Sequence, residues 1–206
     1  MGKTKLKVQT SWDDGHSLDK KLASMLKDHN LSGVFYLPTR CAMFTEIDSL
    51  QADGFEIGAH SMTHPQDMKL LTTEDIDWEI GSNKKLLELE MLGEKVTKFC
   101  YPRGRYDDRA IEVLKKYHFK SARTTKVFSI KPPEDPFRTD TTIHVYPRAE
   151  YLGEPWDVVA MDWALKASQE AGIFHLWGHS WEIDRLEQWN NLEMFFKWLN
   201  ENFDVC

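Results

Sequence analysis

The sequence predicts an α/β fold in which crossover helices cover a parallel sheet that is either open or closed into a barrel. Strand-like runs alternate with helix-like runs along the whole chain. Titratable side chains follow several strand-like runs, and the carboxyl ends of parallel strands form one rim where sites are built. The length of 206 residues suggests a single domain, residues 1–206, with a sizeable core.

The strand-like runs are short, and they are either apolar or alternate with a period of two. In the first run, Leu6, Val8 and Thr10 alternate with polar residues, and Gly15 then permits a sharp turn. The later runs cover residues 34–37, 55–60, 96–101, 119–123, 142–146 and 172–179. Residues 126–136 contain three prolines and are predicted to be a loop, because no second core of independent size follows them.

Six segments carry apolar residues at helical spacing and are predicted to be helices. They cover residues 17–29, 44–53, 72–89, 107–118, 156–170 and about 186–202. Ser17 and Thr72 are candidate N-caps. The aromatic residues of the last segment recur at i, i+3 and i+4, which predicts core packing rather than a binding face.

The composition is that of a soluble globular protein, with 41% hydrophobic and 29% charged residues, and argues against disorder and a membrane protein. The net charge of −7 weighs against nucleic acid or an anionic membrane as the main partner. No run approaches the ~18–20 apolar residues of a membrane span. No apolar region follows the charged start, so no signal peptide is predicted and a cytoplasmic location is expected.

Two details of the chain exclude common modifications. The Met-Gly start lacks the Ser or Thr that N-myristoylation requires, because Leu6 stands there. The three cysteines, Cys41, Cys100 and Cys206, form no close pair and suggest no disulfide framework.

Asp13 and Asp14 stand where the first strand-like run ends. Adjacent carboxylates repel each other unless a cation or a shared proton relieves them, although Asp-Gly is also a common turn dipeptide. His60 and His64 follow another strand-like run, and they could share one ion either in a helical turn or from a loop. Two imidazoles and one carboxylate leave positions open for water and substrate, as in hydrolytic zinc sites.

Four segments resemble motifs of the polysaccharide deacetylase family, the NodB-homology group or carbohydrate esterase family 4. Residues 12–15 (WDDG), 60–64 (HSMTH) and 176–179 (LWGH) resemble its first, second and fifth motifs, and residues 101–104 (YPRG) resemble its third. The similarity runs from about residue 8 to residue 182. It implies a deformed (β/α) barrel of seven strands, with fewer than eight repeats, and metal-dependent hydrolysis of an N-acetyl group, usually with zinc.

The resemblance also implies roles for individual residues. Asp14, His60 and His64 would hold a divalent metal, taken to be Zn²⁺. Asp13 would be the general base, and His179 would protonate the leaving amine. Because a base needs a free lone pair, two carboxylates with separate roles suit this chemistry.

The substrate would contact residues of the third and fifth motifs and one arginine outside them. A backbone N–H near Tyr101 would hold the oxyanion, and Trp177 would contact the acetyl methyl group. The arginine that usually precedes the proline of the third motif, and orients the base, is missing. Arg103 or Arg148 could supply that guanidinium from elsewhere, which is a hypothesis.

The fourth motif of the family, an Asp near a Trp that tunes the acid histidine, is not clear. Asp162-Trp163 contains the two residue types of this motif but lies in a helix-like stretch. Among the other histidines, His16 and His175 are interpreted as supporting or structural residues. His29, His118 and His144 are interpreted as surface or core residues.

Three functions remain open at the level of the sequence. The leading one is an N-deacetylase acting on an acetamido sugar, such as a nucleotide-sugar, a lipid-linked intermediate or a short oligosaccharide. The second keeps the site and hydrolyses a non-sugar ring amide. The third is a degenerate carbohydrate-binding module without turnover, which only the missing arginine favours. The oligomeric state is not predicted.

Overall fold

The structure is a computed structural model that describes residues 3–206. Met1 and Gly2, on which the Met-Gly interpretation falls, lie outside the described residues. Within residues 3–206, no helix combines the length and the apolar composition needed to cross a membrane.

Seven parallel strands form one curled sheet. They are β1 (Thr4–Asp13), β2 (Val34–Leu37), β3 (Glu56–Ala59), β4 (Lys98–Cys100), β5 (Ser121–Arg123), β6 (Ile143–His144) and β7 (Ile173–Gly178). Their order across the sheet is β5-β4-β3-β2-β1-β7-β6. Between the two outer strands, an isolated parallel bridge joins Arg123 to Thr139. The prediction of an α/β deformed barrel with seven strands is therefore confirmed.

The first strand is the centre of the sheet. Residues 7–12 of β1 pair with β7, and residues 11–13 pair with β2. Residues 4–6 pair with a short eighth strand, β8 (Phe203–Val205), which the sequence analysis did not predict. Leu6, Val8 and Trp12 are buried in the apolar core, whereas Ser11 and Asp13 alternate with them on the other face of the strand.

Seven α-helices cover the sheet. They are α1 (Asp19–Asp28), α2 (Ile47–Ala52), α3 (Thr73–Glu90), α4 (Asp108–Lys116), α5 (Trp156–Gln169), α6 (Ser180–Arg185) and α7 (Trp189–Asn202). Thr72 caps α3 as predicted, since its Oγ1 accepts the N–H of Asp75 at 3.1 Å. The prediction for Ser17 is wrong: Leu18 is the N-cap of α1 and provides no side-chain bond.

The C-terminal region contains two helices where the sequence predicted one. Glu187 has φ of 55°, a left-handed conformation that ends α6 before α7 begins. Four apolar residues of α7, Leu192, Phe195, Phe196 and Leu199, are completely buried. Their predicted role in the core is confirmed, and α6 places a short helix directly after His179.

Candidate active site

A cleft of about 210 Å³ lies at the carboxyl ends of the strands. Its lining residues are Asp13, Asp14, His60, His64, Arg103, Thr125, Trp177, His179, Trp181 and Glu182. The cleft thus contains seven of the nine predicted site residues, and Tyr101 and Arg148 are not in its lining. A larger cavity of about 420 Å³ opens at the amino ends of the strands, and its described lining includes none of the nine.

The end of β1 directs two neighbouring carboxylates to different surroundings. Asp14 has φ of 77° and Gly15 has φ of 62°, so the chain reverses through two left-handed residues. A Cβ at residue 15 would lie 2.4 Å from Cys41 Sγ, which explains why glycine stands there. The turn interpretation of Asp13-Asp14-Gly15 is therefore confirmed, and this turn places the two carboxylates in different surroundings.

Asp14, His60 and His64 form a compact donor set. Asp14 Oδ1 lies 3.6 Å from His60 Nε2 and 3.5 Å from His64 Nε2. Donors bound to one tetrahedral zinc ion at ~2.1 Å lie about 3.4 Å apart, so the spacing fits a shared divalent cation. Trp181 Nε1–H donates to Asp14 Oδ2 at 3.1 Å, which leaves Oδ1 directed at the two imidazoles.

The two histidines are held in a form suited to metal binding. His60 Nδ1–H donates to the carbonyl of Cys100 at 2.8 Å, so its Nε2 carries the free lone pair. Burial lowers the pKa of His60 to about 4, and the imidazole is neutral at pH 7. His64 sits in a tight loop, because its N–H donates to Ser61 Oγ at 3.1 Å and its φ is 54°. The loop alternative is therefore the correct one for this pair.

Asp13 is 2% exposed and is held by a buried arginine. Arg123, 1% exposed, forms an ion pair with Asp13 Oδ2. Burial raises the pKa of Asp13, but Arg123, His60 and His179 outweigh it, so the pKa lies well below its ordinary value. Asp13 Oδ1 is buried and has no hydrogen-bond partner among residues 3–206. One oxygen is thus fixed while the other keeps its lone pairs.

His179 faces the carboxylates from β7 and the start of α6. Its Nε2 lies 4.0 Å from Asp13 Oδ2 and 3.8 Å from Asp14 Oδ2, and its Nδ1–H donates to Glu182 Oε2 at 2.6 Å. Burial lowers the pKa of His179, but Glu182 and Asp13 outweigh it, so the pKa lies above its ordinary value. A raised pKa favours the protonated imidazole, which is the form that can act as an acid.

A model of the polysaccharide deacetylase family matches residues 2–122, more than half of the chain. The chain belongs to the polysaccharide deacetylase family. No curated protein sequence matches the chain.

Solved structures of family members share the fold. A protein from Mycobacterium smegmatis assigned to the polysaccharide deacetylases has a TM-score of 0.75 at 14% identity, over 99% of this chain and 87% of that chain. A family 4 carbohydrate esterase from Streptomyces lividans, in complex with acetate, has a TM-score of 0.66 at 14% identity, over 98% and 91%. A family 4 pseudoenzyme from Bacillus anthracis has a TM-score of 0.66 at 17% identity, over 99% of this chain and only 64% of that chain.

The arginine missing from the third family motif is replaced from the neighbouring strand. Cys100 and Arg123 are Cα partners in the β4–β5 ladder, so a guanidinium from position 123 reaches the same space. Arg123 Nη2 donates to Cys100 Sγ at 2.8 Å as well as to Asp13. The hypothesis that Arg103 or Arg148 orients Asp13 is wrong, because Arg123 is the arginine that pairs with Asp13 within residues 3–206. Arg148 instead pairs with Glu150 at 2.7 Å.

The third motif also requires a correction at Tyr101. Tyr101 is completely buried, its N–H donates to the carbonyl of Arg123 at 3.1 Å, and its hydroxyl donates to Phe137 O at 3.0 Å. Its N–H is therefore not available to an oxyanion. Arg103 lines the cleft with φ of 55°, and within the described part of the chain its N–H has no backbone or side-chain acceptor.

Glu182 accepts a hydrogen bond from His179, which is the contact expected of the Asp in the fourth family motif. Asp162 is exposed on α5, and the ring of its neighbour Trp163 stacks on Phe128 at 4.9 Å, away from the cleft. Glu182 follows His179 by three residues, and this i, i+3 spacing at the start of α6 is the signal that could have identified it. His144 is buried, in agreement with the core interpretation, and it also contacts Glu182, which the sequence analysis did not predict.

Trp177 forms one wall of the cleft. Its ring stacks on His144 with 3.8 Å between centroids, and the Arg123 guanidinium lies 4.5 Å from its ring centroid on the buried side. These contacts fix the indole from two sides. His175, interpreted as a supporting residue, lies deeper, with its Nε2 2.8 Å from Ser11 Oγ.

Asp19 supports the start of α6 from α1 and gives a prediction of pH dependence. Its side chain is completely buried, Oδ1 accepts the hydroxyl of Ser180, and Oδ2 has no partner within the described residues. Burial raises its pKa from 3.8 to about 7, although the Ser180 bond acts in the opposite direction. Because the folded state holds this proton more tightly, the contribution of Asp19 to stability should be highest below pH 3.8 and should fall as the pH rises towards 7.

Asp19→Asn is expected to remove this part of the pH dependence. The variant should match the wild type in acid and exceed it above pH 7 by at most about 4 kcal/mol of unfolding free energy. Urea unfolding between pH 4 and pH 8 measures the difference. Parallel pH profiles for the two proteins would show that Asp19 does not titrate in this range.

Proposed function

We propose that this member of the polysaccharide deacetylase family is a metal-dependent N-deacetylase that releases acetate from an acetamido sugar. One observation carries the proposal. Two adjacent carboxylates have different surroundings: Asp14 points at two imidazoles, and Asp13 keeps one buried oxygen free beside them. Metal-assisted hydrolysis needs this combination of a ligand set and a separate base. The whole chain, residues 1–206, is proposed to be one catalytic domain, and one continuous apolar core supports this.

Asp14, His60 and His64 are the proposed ligands of a divalent cation, with Zn²⁺ as the candidate. Two imidazoles and one carboxylate are the donors that hydrolytic zinc sites use, and three protein ligands leave the remaining positions open. When bound, the cation would lower the pKa of water and polarise the carbonyl of the substrate. Asp14 keeps its orientation through Trp181.

The chain's own residues would move the protons. Asp13 Oδ1 would accept a proton from the attacking water while the water oxygen bonds to the acetyl carbon. Arg103 lines the cleft, and its backbone N–H would donate to the oxyanion that forms. His179 Nε2–H would give its proton to the nitrogen as the C–N bond breaks, so a free amine and acetate leave.

The proposed substrate is an acetamido sugar of modest size. A cleft of about 210 Å³ would hold the acetamido group and about one sugar ring, with Trp177 against the acetyl methyl group. Trp181 lines the same cleft and offers a second aromatic surface. Arg103 remains the candidate for contact with the sugar, and Arg148 would act only at the outer margin. Three free cysteines support the proposed cytoplasmic location.

The alternative of a binding module without turnover draws less support from this chain's own residues. The missing arginine of the third motif favoured it, and Arg123 now occupies that space. A relative with the same fold is a pseudoenzyme, so activity must be measured rather than assumed.

The proposal is tested by acetate release from the purified protein. With one equivalent of Zn²⁺, acetate should appear from N-acetylated amino sugars, and a chelator should abolish the release until zinc is restored. Asp14→Asn should reduce zinc binding and activity together. Zinc binding without acetate from any sugar would contradict the deacetylase, and release from a cyclic amide instead would establish the amidase.

A further inference from the structure

Three titratable side chains form a line that runs from the cleft into the protein. Glu182 Oε2 accepts two hydrogen bonds, one from His179 Nδ1–H at 2.6 Å and one from His144 Nε2–H at 3.0 Å. His179 is half-buried at the cleft, whereas His144 is 6% exposed behind it. The carboxylate therefore lies between two imidazoles, and only one of them reaches the substrate.

Contacts of its backbone and of its ring fix the position of His144. Its backbone N–H donates to the hydroxyl of Tyr151 at 2.8 Å, which fixes the chain at β6. Its ring lies parallel to Trp177, with an interplanar angle of 6° and 3.8 Å between centroids. In this position its Nε2–H donates to Glu182 Oε2. An imidazole fixed in this way can hold the carboxylate in one orientation.

His144 is poorly explained as a stabilising residue. Its Nδ1 is buried and has no hydrogen-bond partner within residues 3–206, and a buried acceptor without a donor costs free energy. A phenylalanine would keep the stack on Trp177 without this cost. Something other than stability therefore accounts for an imidazole at this position.

The charge state of His144 suits a supporting role. Burial lowers the pKa of His144 to about 4, so it donates as a neutral group at pH 7. Burial raises the pKa of Glu182, but the bonds from His144 and His179 outweigh it and lower the pKa to about 2. A cation in place of His144 would neutralise Glu182, whereas a neutral donor fixes the carboxylate and leaves its charge for His179.

We propose that His144 is a positioning residue for the deacetylation reaction: it holds Glu182, and Glu182 holds His179 with Nε2 directed at the leaving amine. The inference rests on the proposed function for its catalytic consequence. It assigns no chemical step to His144, which touches neither the substrate nor the three proposed metal ligands.

Two substitutions distinguish the effect of the hydrogen bond to Glu182 from the effect of ring stacking on Trp177. His144→Phe keeps an aromatic ring on Trp177 and removes the N–H, and His144→Gln keeps an N–H donor at the Nε2 position and removes the ring. Two substrates separate acid catalysis from the rest of the reaction. An acetamido sugar has a leaving amine that needs a proton, and an aryl acetate has a leaving phenolate that needs little help.

His144→Phe is expected to lower kcat for the acetamido sugar about tenfold, with KM and the rate for the aryl acetate nearly unchanged. His144→Gln is expected to retain most of the wild-type kcat. The Tm of His144→Phe should stay close to that of the wild type, because removal of the unpaired Nδ1 offsets the lost bond to Glu182. Equal losses on both substrates, or no loss on either, would overturn the inference.

A second measurement is independent of turnover. In the wild type, NMR of ¹⁵N-labelled histidine should show that Nδ1 of His179 is protonated, and His144→Phe should broaden or shift this Nδ1 signal while His144→Gln restores it. An unchanged His179 signal in His144→Phe would overturn the positioning role. If the wild type released no acetate from any sugar, the proposed function would fail while this measurement still decided the position of His179.

Discussion

Asp13→Asn is expected to lower kcat for acetate release by about 10²- to 10⁴-fold while zinc binding is retained. An amide has no lone pair basic enough to accept the proton of water, so the oxygen that is free in Asp13 loses its function. The proposed zinc ligands are unchanged by this substitution, since the contacts between Asp14 and the two imidazoles do not involve Asp13.

The matched variant is Asp14→Asn, which changes the neighbouring residue in the same way. Its deacetylation should fall together with its affinity for zinc, whereas Asp13→Asn should separate the two. Zinc titration and acetate assay on both proteins give the comparison. Near-wild-type turnover by Asp13→Asn would contradict its role as the base, and equal loss of zinc in both variants would contradict the division of roles.

Arg123→Met is expected to destabilise the protein by about 3–5 kcal/mol at pH 7 and to lower deacetylation strongly. The substitution leaves Asp13, which is 2% exposed, without its buried cation. Removing one member of a buried ion pair lowers the free energy of unfolding more than removing one member of an exposed pair, because the remaining charge stays buried without a partner. Urea unfolding measures the loss.

The pH dependence of this loss has a definite sign. In the wild type, the pKa of Asp13 lies below its ordinary value of 3.8, so the pair stabilises fully above pH 3.8 and loses its effect only in stronger acid. In Arg123→Met, burial should instead raise the pKa of Asp13. The difference in unfolding free energy between the two proteins should therefore be largest near neutral pH and should shrink towards pH 4.

The double variant Cys100→Arg with Arg123→Cys tests whether the guanidinium can come from either strand. The two positions are Cα partners, so exchange should restore part of the stability and turnover that Arg123→Met loses. Arg148→Ala is the control, because an exposed pair such as Arg148–Glu150 is worth about 0–1 kcal/mol. If Arg148→Ala lost as much stability as Arg123→Met, burial would not explain the large contribution expected of the Asp13–Arg123 pair.

The sequence predicted those strands and helices whose residue pattern is local. The alternation of Leu6, Val8 and Thr10 predicted β1, and the helical spacing of the apolar residues predicted the core face of α7. Helix boundaries and short segments were less accessible. The left-handed residue Glu187, which divides the last helical region, carries no sequence signal of its own, and β8 contains only three residues.

The site was predicted where its residues lie in motifs and missed where they meet only in space. Asp13, Asp14, His60, His64 and His179 were named from the sequence, and the cleft contains all five. Arg123 was missed because it belongs to no motif, and its relation to Cys100 depends on strand register. Glu182 and His144 are 38 residues apart, and their contact depends on the pairing of β6 with β7.

By itself, the sequence determined the parallel α/β architecture, the family and the residue types able to bind a metal and move protons, because hydrophobic period and motif spacing are properties of the chain alone. The tertiary structure decided which groups support them. A buried charge or lone pair must find a partner across strands, and only the curled sheet brings Arg123 to Asp13 and Glu182 with His144 to His179. The physical reason is that burial makes each partner necessary, while the register of neighbouring strands determines which residue is close enough to be that partner.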